Sequence, residues 1–240
     1  MQLPLAVQLP VEQQFDTFVA GPNQQLVAHT RSIVEALAKG AQQSFKQLFL
    51  HGANGQGKTH LLIALCHYAN QLNLENFYIS LRNFNHYTPD MLDGFAQIPL
   101  LCIDDLDAIT DSEQWQVAVF DLINQRRENG NNALVLAANK NLAHPEKQDF
   151  SLTLPDLHSR MQWGDVYAYK ALDDMDKVAL LELLAEARGM KFSERAIQYL
   201  LNHCERRNDF LVDAMERLDK RSLQEQRALT VDLIKRELDT

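Results

Sequence analysis

The stretch His51-Gly-Ala-Asn-Gly-Gln-Gly-Lys-Thr-His60 decides how the rest of the chain is read. From Gly52 to Thr59 it matches GxxxxGK[ST]; it follows the apolar run 48–50 and opens the helically spaced segment 61–72. Glycines let successive backbone N–H groups converge on phosphate oxygens, and the helix that starts there adds the positive end of its dipole. Gly52, Asn54, Gly55, Gln56, Gly57 and His60 are therefore read as the cradle, with Lys58 as a mobile charge on the outer phosphates. The Thr59 hydroxyl is the expected Mg²⁺ ligand, because this ion takes few protein oxygens and completes its octahedron with phosphates and water. The alternative, a chance glycine-rich turn between a strand and a helix, is disfavoured because the match comes with the flanking pattern.

A phosphate loop of this kind calls for an acidic residue at the end of a strand beside it, and Leu100-Leu-Cys-Ile-Asp104-Asp105 supplies one. Asp104 is the expected Mg²⁺ partner, and Asp105 stands where a carboxylate would orient or deprotonate an attacking water. A solvated acidic turn is the competing reading, since Asp107 and Asp111 follow closely. Further strands are expected at 77–79, 134–138 and 166–169, alternating with helices, so the architecture is α/β with a parallel sheet of about five strands flanked by helices. Asn139 ends the strand 134–138 and reads either as a polar group for the water near the terminal phosphate or as an ordinary loop-starting Asn.

Outward from this core, Gly21-Pro22 breaks the chain, and Asn23 is placed to cap a helix that Gly40 ends. Beyond Leu172 the pattern is helical only: Asp173-Asp174 opens one helix, Ser193 caps the next, a third runs over about 209–218, and Thr230 precedes a fourth. The expected division is a tail at 1–14, an α/β nucleotide-binding domain at 15–172 and a helical lid at 173–240. The formal net charge of −9 argues against a broad basic face, so no direct sequence-specific DNA binding is expected, although Arg206-Arg207 forms a local pair. No run approaches the roughly 18 apolar residues of a membrane span, and the N-terminus lacks a signal-peptide pattern. A cytoplasmic protein is expected, with Cys66, Cys102 and Cys204 too dispersed for a disulfide frame or zinc site.

Three stretches resemble the AAA+ family formed by the ATPase domain of the bacterial initiator DnaA and its regulator Hda. They are Phe18-Val-Ala-Gly-Pro-Asn-Gln24, the phosphate loop with its flanks at 48–62, and Leu157-His-Ser-Arg160-Met-Gln-Trp-Gly164. The resemblance implies the AAA+ fold with a C-terminal lid, a sensor-1 role for Asn139, and adenine contacts for Phe18 and Val19, hence ADP or ATP. It also makes Arg160 an arginine finger, an Arg that enters a neighbouring subunit's nucleotide site. Read without the family, Arg160 packs its stem on Trp163 and makes a surface ion pair. An initiator would continue past Thr240 into a DNA-binding domain, so the resemblance favours the regulatory branch. Two departures stand out: Asp105 replaces the usual Glu, and matching Asn208-Asp209-Phe210-Leu211 to the lid pattern puts Asp209 where the family has a sensor-2 Arg. A carboxylate there repels phosphate, so the chain's own hydrolysis is expected to be weak, with Arg206 or Arg207 as the available substitutes.

The resemblance implies a negative regulator of replication initiation whose partner is DnaA, acting in trans on DnaA-bound ATP, with head-to-tail self-association as a further AAA+ contact. The tail residues Gln2, Leu3 and Leu5 resemble the peptides that bind the DNA polymerase III sliding clamp, against the plainer reading of an ordinary disordered terminus. A stand-alone remodelling ATPase or helicase loader would use its own turnover, and a binding module would hold the nucleotide as a structural element.

Overall fold

In the computed structural model, residues 9–41, 44–142, 152–225 and 229–238 are described; the tail positions Gln2, Leu3 and Leu5 lie outside them. Five strands, β1 (Lys46–His51), β2 (Asn76–Ser80), β3 (Leu100–Asp104), β4 (Ala133–Ala138) and β5 (Asp165–Ala168), form one sheet in the order β2-β3-β4-β1-β5. All pairings are parallel. Strands buried on both faces read as continuous apolar runs, and β3 and β4 are buried at every residue. Helices α1 (Gln24–Ala38), α2 (Lys58–Gln71), α3 (Glu113–Asn129) and the short α4 (Pro155–Met161) accompany the sheet. Asn23 precedes α1 without a side-chain cap bond, and Gly40 leaves it at φ +65°.

The acidic strand is not the immediate neighbour of the phosphate-loop strand, because β4 is inserted between β1 and β3. Register places the site: His51 pairs with Ala138, and Ile103 with Leu136. Gly52, Asp104 and Asn139 therefore leave the sheet along one carboxyl edge, where ligands bind in open α/β sheets.

The chain forms two compact units: 1–15, 23–54 and 58–169 in the first, 16–22, 55–57 and 170–240 in the second. The second unit holds α5 (Asp174–Ala187), α6 (Glu194–His203), α7 (Asn208–Glu225) and α8 (Val231–Leu238). Asp173 and Asp176 close a reciprocal capping box, and Ser193 Oγ accepts from the Ala196 N–H at 3.3 Å. The third lid helix runs to Glu225, a full two turns past the apolar stretch that marks it in the sequence. Leu181, Leu200, Leu211, Met215 and Leu218 pack its core.

Helix α3 buries two polar residues that mask its apolar stripe. Gln116 donates to the Ile109 and Thr110 carbonyls and accepts from Leu154 N–H and Thr153 Oγ1. Arg126, wholly buried, donates to Phe95 O at 2.6 Å and Ala133 O at 2.7 Å. Burial holds its pKa down to about 10, still well above neutrality, so a cation ties the sheet's β4 to the Phe95 turn.

Candidate functional site

Lys58 is the first residue of α2, and its side chain is almost wholly buried. Its Nζ donates to Gly52 O at 2.8 Å, Ala53 O at 2.9 Å and Asn139 Oδ1 at 3.1 Å, all neutral acceptors. Burial pulls its pKa below the lysine value, opposed by the charges of Asp104, Asp107 and Asp105. A buried ammonium held only by neutral oxygens fits an anionic ligand well, because direct pairing with a phosphate would offset its desolvation.

Thr59 Oγ1 donates to Asp104 Oδ2 at 2.6 Å. The same carboxylate oxygen accepts from the Tyr78 hydroxyl at 3.1 Å, and Oδ1 accepts from the Asp105 N–H at 2.8 Å. Burial raises the Asp104 pKa, the Thr59 bond counters it, and the Asp105 charge adds to the rise. A divalent cation would reverse that balance. Two hard oxygens side by side suit Mg²⁺, which Thr59 and Asp104 would hold; no cluster of three or more His, Cys, Asp or Glu suited to a metal occurs among the described residues.

Asn139 is aimed from behind. Its backbone N–H donates to Asp107 Oδ1 at 2.8 Å and its Nδ2 to Asp107 Oδ2 at 3.3 Å, which turns the amide oxygen to Lys58. Asp107, grouped in the sequence with a solvated acidic turn, is thus a built element of the site. Tyr78, Ser80 and Arg82 also belong to it and carry no local sequence signal, since β2 comes alongside β3 only through sheet pairing.

Asp105 faces the other way. It adopts a left-handed backbone at φ 54°, accepts from Ser80 Oγ at 2.6 Å, and pairs with Arg82 Nη2 at 3.0 Å. In this arrangement the carboxylate is committed to β2 and the turn after it. The structure therefore brings Lys58, Thr59, Asp104 and Asn139 together and leaves Asp105 beside them in an ion pair.

The loop tip, 55–57, groups with the second unit. There Asn208 Nδ2 donates to Gln56 O at 3.1 Å, and Gly55 takes a left-handed φ of +75° with the Asp209 carboxylate close against it. Gly55 is needed for that conformation. Asp209 accepts from Arg207 Nε at 3.0 Å and pairs with its Nη2, which lowers its pKa and offsets the charge of that carboxylate. Arg206 is engaged with Asp174 at 2.9 Å and the Leu201 carbonyl. Phe18 and Val19 lie in a segment of the same unit, half-buried, with Val19 packed on the helical core. Asn54 is exposed in the loop.

His60 Nε2 lies 3.1 Å from Gln14 O, and His67 Nε2 lies 3.0 Å from Pro10 O, so the segment leading out of the N-terminal tail runs along α2. A carbonyl only accepts, so each ring nitrogen carries its proton there. Burial pushes the His60 pKa below the ordinary 6.5, opposed by the Gln14 bond. The folded state then binds fewer protons than the unfolded chain below pH 6.5. Stability from neutral His60 is complete above that pH and is lost as pH falls through the depressed folded value. In urea titrations from pH 7.5 to 5, His60→Gln should lose less stability than wild type, the difference not exceeding about 1.4 kcal/mol per pH unit, the limit for one proton. Identical slopes in the two proteins would remove His60 as the source.

Arg160 makes its contacts away from this cluster, on α4. Its Nε donates to Asn124 Oδ1 at 2.8 Å, and its guanidinium carbon lies 3.6 Å from the Trp163 ring centroid and 4.9 Å from that of Phe120. Packing on Trp163 is thus present, with a neutral amide where the plainer sequence reading has an ion pair.

The family model described as the bacterial DnaA ATPase domain matches residues 9–168, more than half of the chain. The chain belongs to the DnaA ATPase family. The model of the Hda lid domain matches residues 174–238, so this is an Hda-like, DnaA-related AAA+ protein. Domain III of the Thermotoga maritima replication initiation protein DnaA is similar in structure, with TM-score 0.79, 22% identity, and coverage of 97% of this chain and 98% of that one. AMPPCP-bound DnaA from Aquifex aeolicus has TM-score 0.72 and 21% identity over 97% of this chain and 70% of its own. The Thermotoga maritima RuvB Holliday junction branch migration motor has TM-score 0.64 and 12% identity, over 90% and 68%. At these identities the likeness is one of fold. Among the described residues no helix is long and apolar enough to cross a membrane.

Proposed function

We propose that this chain is a negative regulator of replication initiation that prompts DnaA to hydrolyse its bound ATP, together with the sliding clamp loaded on DNA. The observation that carries this reading is the pairing of a DnaA-type ATPase domain with an Hda-type lid in one chain. The chain holds ADP or ATP with Mg²⁺ at its own loop: the backbone of 52–57 and Lys58 bind phosphate, and Thr59 and Asp104 hold the ion. That the structural neighbour is AMPPCP-bound supports an adenine nucleotide. Bound nucleotide supplies the anionic partner that the buried Lys58 lacks.

Chemistry on the partner's nucleotide comes from Arg160. A planar guanidinium entering a neighbour's site places positive charge where negative charge develops on the transferring phosphoryl group. The chain's own turnover is slow, because Asp105 is held by Ser80 and Arg82 and Asp209 stands at the sensor-2 position. The competing reading, a self-driven remodelling ATPase or helicase loader, draws support from the assembled Lys58, Thr59, Asp104 and Asn139 group.

The deciding assay is hydrolysis of DnaA-bound ATP with this protein and clamp-loaded DNA present, and each omitted in turn. Stimulation that needs all components supports the regulator. Fast turnover by the isolated chain supports the competitor, and neither activity supports a binding module with a structural nucleotide. Within that assay the double variant Gln2→Ala, Leu3→Ala should lose clamp pull-down while keeping nucleotide binding, since such anchors bind as extended peptides. Pull-down equal to wild type would remove the tail from the mechanism.

A further inference from the structure

The indole of Trp163 carries two guanidiniums. Arg160 lies 3.6 Å and Arg127 4.0 Å from its centroid, and the ring is 42% exposed. Among the described residues neither guanidinium belongs to an ion pair. Two like charges on one exposed ring are an unusual use of basic residues in a chain of net charge −9. Without an anion they repel one another, and a polyphosphate brought against them would relieve that repulsion.

The backbone under the stack is pinned. A Cβ on Gly164 would fall 2.1 Å from Gln47 O, so the turn between α4 and β5 lies directly on β1. Gln47 Nε2 donates to Arg160 O at 2.7 Å from the same strand. A ring held against a guanidinium limits where it can lie, and the Asn124 bond to Nε limits its rotation.

We propose that Trp163 is a positioning residue that pre-orients Arg160, and that Arg127 on the same ring makes this face of α3 and α4 a receptor for a nucleoside triphosphate held in the P-loop of a second subunit. This rests on the reading of Arg160 given under Proposed function. Trp163 acts on the rate at which bound triphosphate reacts, through alignment. Arg127 acts on encounter, through long-range charge.

The test uses single-turnover hydrolysis by ATP-loaded DnaA, with clamp-loaded DNA, as a function of the concentration of this chain. Trp163→Leu should lower the maximal rate by on the order of 10²-fold, the typical cost of a misplaced group, with little change in the half-saturating concentration. Trp163→Phe keeps an aromatic face and should recover to within a few-fold of wild type. Arg127→Gln should raise the half-saturating concentration and weaken its salt dependence while the maximal rate stays near wild type. Urea midpoints and ADP affinity accompany each variant, and should Trp163→Leu fail to fold, Trp163→Phe and Arg127→Gln carry the test.

A Trp163→Leu protein that folds and reaches the wild-type maximal rate overturns the positioning role. So does a folded Trp163→Phe as defective as the leucine variant. An unchanged half-saturating concentration for Arg127→Gln removes the receptor face. Failure of the wild-type chain itself to stimulate overturns the underlying reading instead, and the proposal with it.

Discussion

Replacing Arg160 with alanine is expected to cut stimulation of DnaA-ATP hydrolysis by about 10³- to 10⁵-fold, the range for loss of an arginine finger. ADP and clamp binding should stay near wild type, because the side chain is engaged by Asn124, Phe120 and Trp163 and takes no part in the hydrogen bonds around Lys58. Arg160→Lys should also be severely impaired: an ammonium keeps the charge but has neither the planar fork nor the stacking face that Trp163 meets. Single-turnover loss of DnaA-bound ATP is the measurement. Wild-type stimulation by Arg160→Ala would sink the trans mechanism while leaving fold and family untouched.

Replacing Lys58 with alanine is expected to weaken ADP and ATP binding by about 10²-fold or more, since an ammonium bonded to phosphate in a desolvated loop makes one of the stronger, charge-assisted hydrogen bonds. Its Nζ also holds the Gly52 and Ala53 carbonyls, so the variant leaves two loop acceptors without their donor and the loop without its tether. Isothermal titration with each nucleotide measures the effect. Unchanged affinity would mean that phosphate is bound elsewhere. Conversely, bound nucleotide should raise the urea midpoint of the wild type and leave that of Lys58→Ala nearly unmoved, because ligand stabilises only in proportion to its occupancy of the folded state.

Much of the site was legible because it is contiguous. Gly52, Gly55, Gly57, Lys58 and Thr59 sit within one short run of the chain, from the loop into the start of α2, and Asp104 closes the apolar run 100–103. The lid helices were legible at their starts, where Asp173 and Ser193 answer local unpaired N–H groups. The end of α7 was less so, because its continuation to Glu225 rests on charged, half-exposed residues with ion pairs such as Arg221 to Glu225. Helix α3 hid its buried face behind Gln116 and Arg126, whose polarity is offset by carbonyls from distant turns.

By itself, then, the amino-acid order determined what depends on neighbours along the chain: the phosphate loop, the strand pattern, the caps, and through its motifs the family. Only the tertiary structure decided what those groups face. It turns Asn139 toward Lys58 through Asp107, draws Asp105 to Ser80 and Arg82, pairs Asp209 with Arg207, and sets Arg160 and Arg127 against the ring of Trp163. The reason is physical. A carboxylate or guanidinium takes its role from charges and dipoles within a few ångströms, and packing brings those from strands and helices that sequence spacing does not relate.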